Sequence, residues 1–353
     1  MVHDTGYSTC GPASSLLGRR ELLGTAGLAA GMCALPAFAA VPARHTGLLD
    51  VHHHIRPPGA PEVIAKLMAE WSPARAVADM DRCGVATGMA YPGPLLGGDE
   101  DAKRATARSW NEFGARLGQD HPGRFGLFAS LPMTHVDNTV ATIDFALDHL
   151  RADGFGIATS YGEAWLGDER FWPIYEKLDA RAAVIFVHPN DANCCGPAKM
   201  SYNRAPMDGS WIEWPMNTAR TIMSLMVSGS LRKFPRIRFI FAHGGGVMPL
   251  LIERIKGLRD WAAVGPQGLR ALFPDGVDAE LRKLYFECAQ AYAHPNFDAA
   301  RTLVPDSHLL FGSDYPIFPL DHATTGFADL TMSQATRRAI GRSGAAALLP
   351  RWA

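Results

Sequence analysis

Four short apolar runs in this chain each lead to a residue that can hold a metal ion or carry a proton. Residues 183–187 run into His188, residues 237–242 into His243, and residues 309–313 into Asp314. In the first run, residues 48–54, two histidines stand two positions apart, His52 and His54. Side chains alternate across a β-strand, so these two share a face and His53 takes the other. Each group stands just past the carboxyl end of a buried strand. One such histidine would be an ordinary core residue. Four strand ends furnished this way require a fold that gathers the carboxyl ends of its strands in one place.

The intervening sequence supplies the helices. Val63, Leu67 and Trp71 recur at helical spacing. Ser72-Pro73 reads as an N-cap and first-turn pair opening a helix with Val77 and Met80 inward, ended by Gly84. Residues 85–91 read as the second strand, 101–119 as a helix, 124–130 as the third strand, and a helix capped by Asp137 or Asn138 follows. Residues 154–159 are the fourth strand and 168–180 the next helix; further strands end at His188, at His243, near Glu287-Cys288 and near Ser313. Eight strands alternating with helices predict an α/β chain folded as a (β/α)8 TIM barrel. Such a barrel takes about 250 residues plus insertions, and the chain has 353. The connection from 189 to about 235 is long and holds Cys194, Cys195, Tyr202, Arg204, Trp211 and Trp214 before a helix near 217–228. Loops of that length are usually functional. It is expected to be a lid inserted after strand 5.

The 34 basic and 35 acidic residues give a net charge of −1. That offers no broad attraction for nucleic acid or an anionic membrane and points to a small-molecule partner. Arg19-Arg20, the apolar small-residue stretch 26–35 and Ala37-Phe38-Ala39 read as a twin-arginine export signal over residues 1–39. The apolar stretch is too short for a membrane span. The mature domain is therefore expected to cover 40–353, and the protein to be periplasmic or otherwise exported. Of six cysteines, Cys10 and Cys33 would leave with the signal. The rest form no disulfide framework.

Three imidazoles and a carboxylate suit one divalent ion, zinc first and manganese second. His52, His54, His188 and Asp314 are the expected ligands. His243 is expected beside them, moving a proton or holding developing charge. Asp50 is placed on the His52/His54 face, where it either fixes a ligand imidazole or is a buried structural carboxylate. Gly244-Gly245-Gly246 reads as a close-approach turn rather than a phosphate loop, because it lacks the Lys-Ser/Thr pair. His294 reads as a surface or lid residue.

With these residues assembled, the chain resembles the amidohydrolase-related metal-dependent enzymes, from about Leu48 to its end. The likeness is greatest to the branch holding aminocarboxymuconate-semialdehyde, 6-methylsalicylate and resorcylate decarboxylases. It is carried by Asp50-Val51-His52-His53-His54, Trp71-Ser72-Pro73, Phe186-Val187-His188-Pro189, Phe241-Ala242-His243-Gly244-Gly245-Gly246 and Phe311-Gly312-Ser313-Asp314-Tyr315-Pro316. The resemblance implies a barrel of the metal-dependent hydrolase type, the same four ligands and a catalytic His243; in the expected reaction His243 or Asp314 delivers or relays the proton. His at position 52 follows the aminocarboxymuconate type, where resorcylate types carry Glu. The fourth strand, Phe155-Gly156-Ile157-Ala158-Thr159, has no lysine to carbamylate, which argues against a binuclear site. The expected activity is non-oxidative decarboxylation of an aromatic or unsaturated carboxylic acid. The alternative is metal-dependent hydrolysis of a lactone, ester or amide. A homodimer is the oligomer that the resemblance implies.

Overall fold

A computed structural model describes residues 46–194, 201–202, 205–206, 209–257 and 268–353. Residues 1–39, expected as an export signal, lie outside the described residues, as do Cys195, Arg204 and the side chain of Tyr202. Eight parallel strands form one sheet: β1 (Leu48–His54), β2 (Val85–Tyr91), β3 (Phe125–Ser130), β4 (Gly154–Ala158), β5 (Val184–His188), β6 (Arg238–Phe241), β7 (Tyr285–Glu287) and β8 (Leu309–Leu310). Each pairs with its predecessor in chain order. The ring closes between β1 and the segment after β8. Val51 donates to the Phe311 carbonyl at 3.0 Å, Asp314 to His52 at 2.8 Å, and His54 to Tyr315 at 2.7 Å. This is the (β/α)8 barrel that the alternation predicts.

The inside of the barrel is packed. Leu49, Val51, Met89, Tyr91, Phe128, Val184, Phe186, Ile240, Ala242 and Leu310 form one buried cluster. The intervening residues, Ile185 and Val187 of β5 and Phe239 and Phe241 of β6, belong to the larger core facing the helices. The two-residue period of a strand thus separates the cores. In β1 the period breaks, because the register with β2 shifts between Asp50 and His53. Val51 joins the inner cluster, and its neighbour His52 also packs on inner Phe186, with ring centroids 4.7 Å apart. Asp50 is thereby turned off the His52/His54 face, against expectation. It binds His53 instead, which is not a ligand candidate.

Helices follow the strands: α1 (Pro73–Cys83), α2 (Glu100–Asp120), α3 (Val136–Asp148), α4 (Trp172–Ala180), α5 (Glu213–Val227), α6 (Met248–Gly257), α7 (His294–Leu303) and α8 (Leu320–Asp329), with shorter turns between them. Ser72 caps α1 as expected, accepting from the Arg75 amide at 3.2 Å, and Gly84 ends it in the left-handed conformation. Two local expectations fail. The cap of α3 is His135, whose Nδ1 accepts from the Asn138 amide, and neither Asp137 nor Asn138 serves. The segment around Val63 and Leu67 makes only a short helix, Glu62–Leu67, with both side chains exposed, while Trp71 is buried beyond its end. Six residues cannot set up a helical stripe. No described helix is long and apolar enough to cross a membrane.

Candidate metal centre

The site is built from the ends of β1, β5, β6, β7 and β8. His52 and His54 close β1, His188 closes β5, and Glu287 closes β7. His243 and Asp314 stand just beyond β6 and β8 in left-handed backbone, at φ 58° and 60°. Non-glycine residues rarely adopt that conformation, and it costs about 1–3 kcal/mol where it occurs. Here it turns both side chains back over the barrel mouth. The turn after β6 depends on glycine: a Cβ on Gly246 would stand 2.2 Å from the Pro215 carbonyl oxygen.

His52, His54, His188 and Asp314 each offer one ligand atom within 4.8 Å of the others, and all four are buried or nearly so. His52 Nε2 lies 3.0 Å from His54 Nε2. Asp314 Oδ1 lies 3.1 Å from each of them, yet accepts no well-formed hydrogen bond among the described residues. The far nitrogens explain this geometry. His52 Nδ1 sits 2.8 Å from Glu287 Oε1, and His188 Nδ1 sits 2.7 Å from the Pro189 carbonyl. Each Nδ1–H donates outward, which leaves Nε2 bare toward the centre. Lone pairs so close together are repulsive unless a cation lies among them. The residues present therefore fit a single divalent ion.

The electrostatics agree. Burial works against a charged His52, but the carboxylates of Asp314 and Glu287 overcome it and push the imidazole up to about 10. Burial, reinforced by the neighbouring imidazoles, holds His188 well below its ordinary value. Burial also opposes a charged Asp314, but His52 and the other imidazoles hold its carboxyl well below the usual range. Two buried carboxylates thus demand a positive charge in the cage, and a proton on His52 supplies it where a divalent ion does not.

His243 Nε2 approaches Asp314 Oδ2 at 3.4 Å, and its ring centroid lies 5.2 Å from that of His52. Its backbone amide donates to Glu287 Oε1 at 2.8 Å, and the Ala289 amide donates to Oε2 at 2.7 Å. Glu287 therefore fixes His52 and His243 together. The sequence reading named it only as a strand terminus. The rule that picked out His188 and Asp314, a polar residue at the end of an apolar strand, would also have found it. Asp50 accepts from the His52 amide, His53 Nδ1, and the amide and hydroxyl of Ser313, tying β1 to the loop that carries Asp314.

Other residues are engaged outside the cage. Trp214 packs 5.7 Å from His188 and donates to Asp191 at 2.8 Å, so the start of the long connection does border the site. Trp211 is 72% exposed. Arg220 is held by Glu213 and Asn217, and Arg56 donates to the Trp71 carbonyl. Cys194 is exposed and free, and it belongs to no metal-competent cluster among the described residues. His294 is on the surface, starting α7.

Comparison with known proteins places this geometry. The chain is 31% identical over 289 residues to a 6-methylsalicylic acid decarboxylase of Aspergillus aculeatus, covering 77% of this chain and 85% of that one. It is 29% identical over 329 residues to a decarboxylase of Aspergillus niger, covering 86% and 88%. Among solved structures, a dihydroxybenzoic acid decarboxylase of Polaromonas with bound manganese superposes with a TM-score of 0.70 at 20% identity, covering 86% and 97%. The amidohydrolase family model matches residues 49–351. A closed eight-stranded barrel, strand-end histidines converging on one aspartate, and a match running through the whole barrel lead to one assignment: the chain belongs to the amidohydrolase family.

Proposed function

We infer that this protein is a metal-dependent, non-oxidative decarboxylase of an aromatic or unsaturated carboxylic acid. The observation that carries the reading is the buried cage of three imidazoles and Asp314, with His243 facing the second oxygen of the same aspartate at 3.4 Å. Its relatives bear decarboxylase names. A divalent ion held by His52, His54, His188 and Asp314 supplies a Lewis acid and a template for the carboxylate and an adjoining oxygen. The protein's own part is proton management. The bond between the substrate carbon and its carboxylate breaks, carbon dioxide leaves, and the electron pair stays on carbon, which takes up a proton. His243 Nε2 delivers that proton, with the ionised Asp314 carboxylate facing it through Oδ2. Glu287 keeps the His243 backbone and the His52 ring in register during the transfer. The alternative, hydrolysis of a lactone, ester or amide, has no observation of its own in its favour.

The experiment is carbon dioxide release by metal-loaded protein on a panel of hydroxybenzoates and unsaturated dicarboxylates. Release from at least one member is expected. His243→Ala should keep its metal and lose about 100-fold or more in turnover. Full turnover in that variant would remove His243 from the chemistry. Release from no member, at one equivalent of metal, would overturn the decarboxylase reading.

The donor set favours zinc as the ion, with manganese the alternative. Metal analysis of gently purified protein distinguishes them. We further propose that residues 1–39 export the protein through the twin-arginine route, that the mature chain starts near Ala40, and that it works as a homodimer. Intact mass of periplasmic protein and light scattering test these points, and a retained leader or a monomer would refute them respectively.

A further inference from the structure

Tyr91 closes β2 and is wholly buried, and its hydroxyl finds no hydrogen-bond partner among the described residues. A buried O–H without an acceptor is costly and calls for an explanation. The ring stands against the cage. Its centroid lies 5.6 Å from that of His54 and 6.1 Å from that of His188, two of the proposed ligands. Two strands along the sheet from β2, Gly156 of β4 makes the room it occupies. A Cβ there would meet Tyr91 Cε2 at 2.1 Å and Cζ, the carbon bearing the hydroxyl, at 2.8 Å. The phenol therefore reaches over β4 and fills the β2–β4 part of the barrel mouth, where no proposed ligand stands. His243 borders the cage elsewhere, beside His52 and His188. A tyrosine phenol carries its proton at neutral pH, so the group is a donor. Other unpartnered buried atoms gather round the same mouth: His243 Nε2, Asp314 Oδ1 and Gln290 Oε1.

We propose that Tyr91 is a substrate-binding residue whose phenol O–H donates a hydrogen bond to an oxygen of the acid held in the cage. This rests on the decarboxylase reading above. It assigns the acid a contact on the β2–β4 side, opposite the sector where His243 delivers the proton. Gly156 is the residue that allows it, because any side chain at that position would displace the ring.

The test compares wild-type holoenzyme with Tyr91→Phe, a change that removes one oxygen and keeps the ring packing. Carbon dioxide release is followed on the best acid of the panel, and binding of the corresponding decarboxylated phenol or diene product is titrated calorimetrically. Metal content and Tm are recorded for both proteins. The proposal expects KM and the product Kd to rise, at least one of them by about tenfold, with kcat less affected and metal content unchanged. KM and Kd both within twofold of wild type would overturn the assignment of Tyr91 and leave the decarboxylase reading intact. No carbon dioxide from wild-type holoenzyme on any acid would overturn both.

Discussion

At the scale of single residues, Glu287 has the widest reach. Its two oxygens accept from the His52 ring and from the amides of His243 and Ala289. A carboxylate behind a ligand imidazole fixes the tautomer and raises basicity at the inner nitrogen. Glu287→Gln keeps the shape and removes the charge. It is expected to weaken metal binding about 10- to 100-fold, as read by competition with a chelator. Wild-type affinity would mean that His52 is positioned by β1 alone. Asp50 shows how the same residue type can serve the framework. It was legible as a buried carboxylate near the ligands, but not as the partner of His53 and Ser313. The cause is the register shift in β1, which strand periodicity has no means of announcing.

At the scale of elements, the turn after β6 decides whether His243 arrives at the cage. His243, Gly244, Gly245 and Gly246 all have positive φ. Gly246 faces the Pro215 carbonyl, so a methyl group there meets rigid backbone near the start of α5. Gly246→Ala is expected to cost at least about 2 kcal/mol, from left-handed backbone strain plus the clash. Gly59 also has positive φ, but a Cβ there meets nothing within 4 Å. Gly59→Ala should therefore cost about 1 kcal/mol, the conformational part alone. Urea denaturation of the pair separates the two contributions. Equal losses would show that the Pro215 contact relaxes at no cost. The three glycines were readable as a close-approach turn. What they approach was not, because Pro215 lies far away in sequence.

At the scale of the whole molecule, the cage links strands from both halves of the chain. His52 and Asp314 also sit where the ring closes, with Asp314 donating its backbone amide to the His52 carbonyl. An ion bound there binds only the folded barrel, so it stabilises that fold by linkage. Metal at about 1,000 times its Kd should contribute about 4 kcal/mol. Chelation should lower Tm accordingly in calorimetry, and an unchanged Tm would exclude a resident ion in the cage. The sequence by itself determined the architecture and most of the residues that the barrel brings together in the candidate site. Apolar runs, two-residue alternation and caps are local signals, and a parallel barrel collects strand ends whatever its loops do. Hence His52, His54, His188, His243 and Asp314 could be named before any contact was known. Only the tertiary structure revealed the contacts of Glu287, the unpartnered hydroxyl of Tyr91 and the true place of Asp50. Their roles depend on which buried polar atoms meet across strands far apart in the chain, and on one register shift. Hydrogen bonding between distant strands is a property of the closed barrel, and no local pattern encodes it.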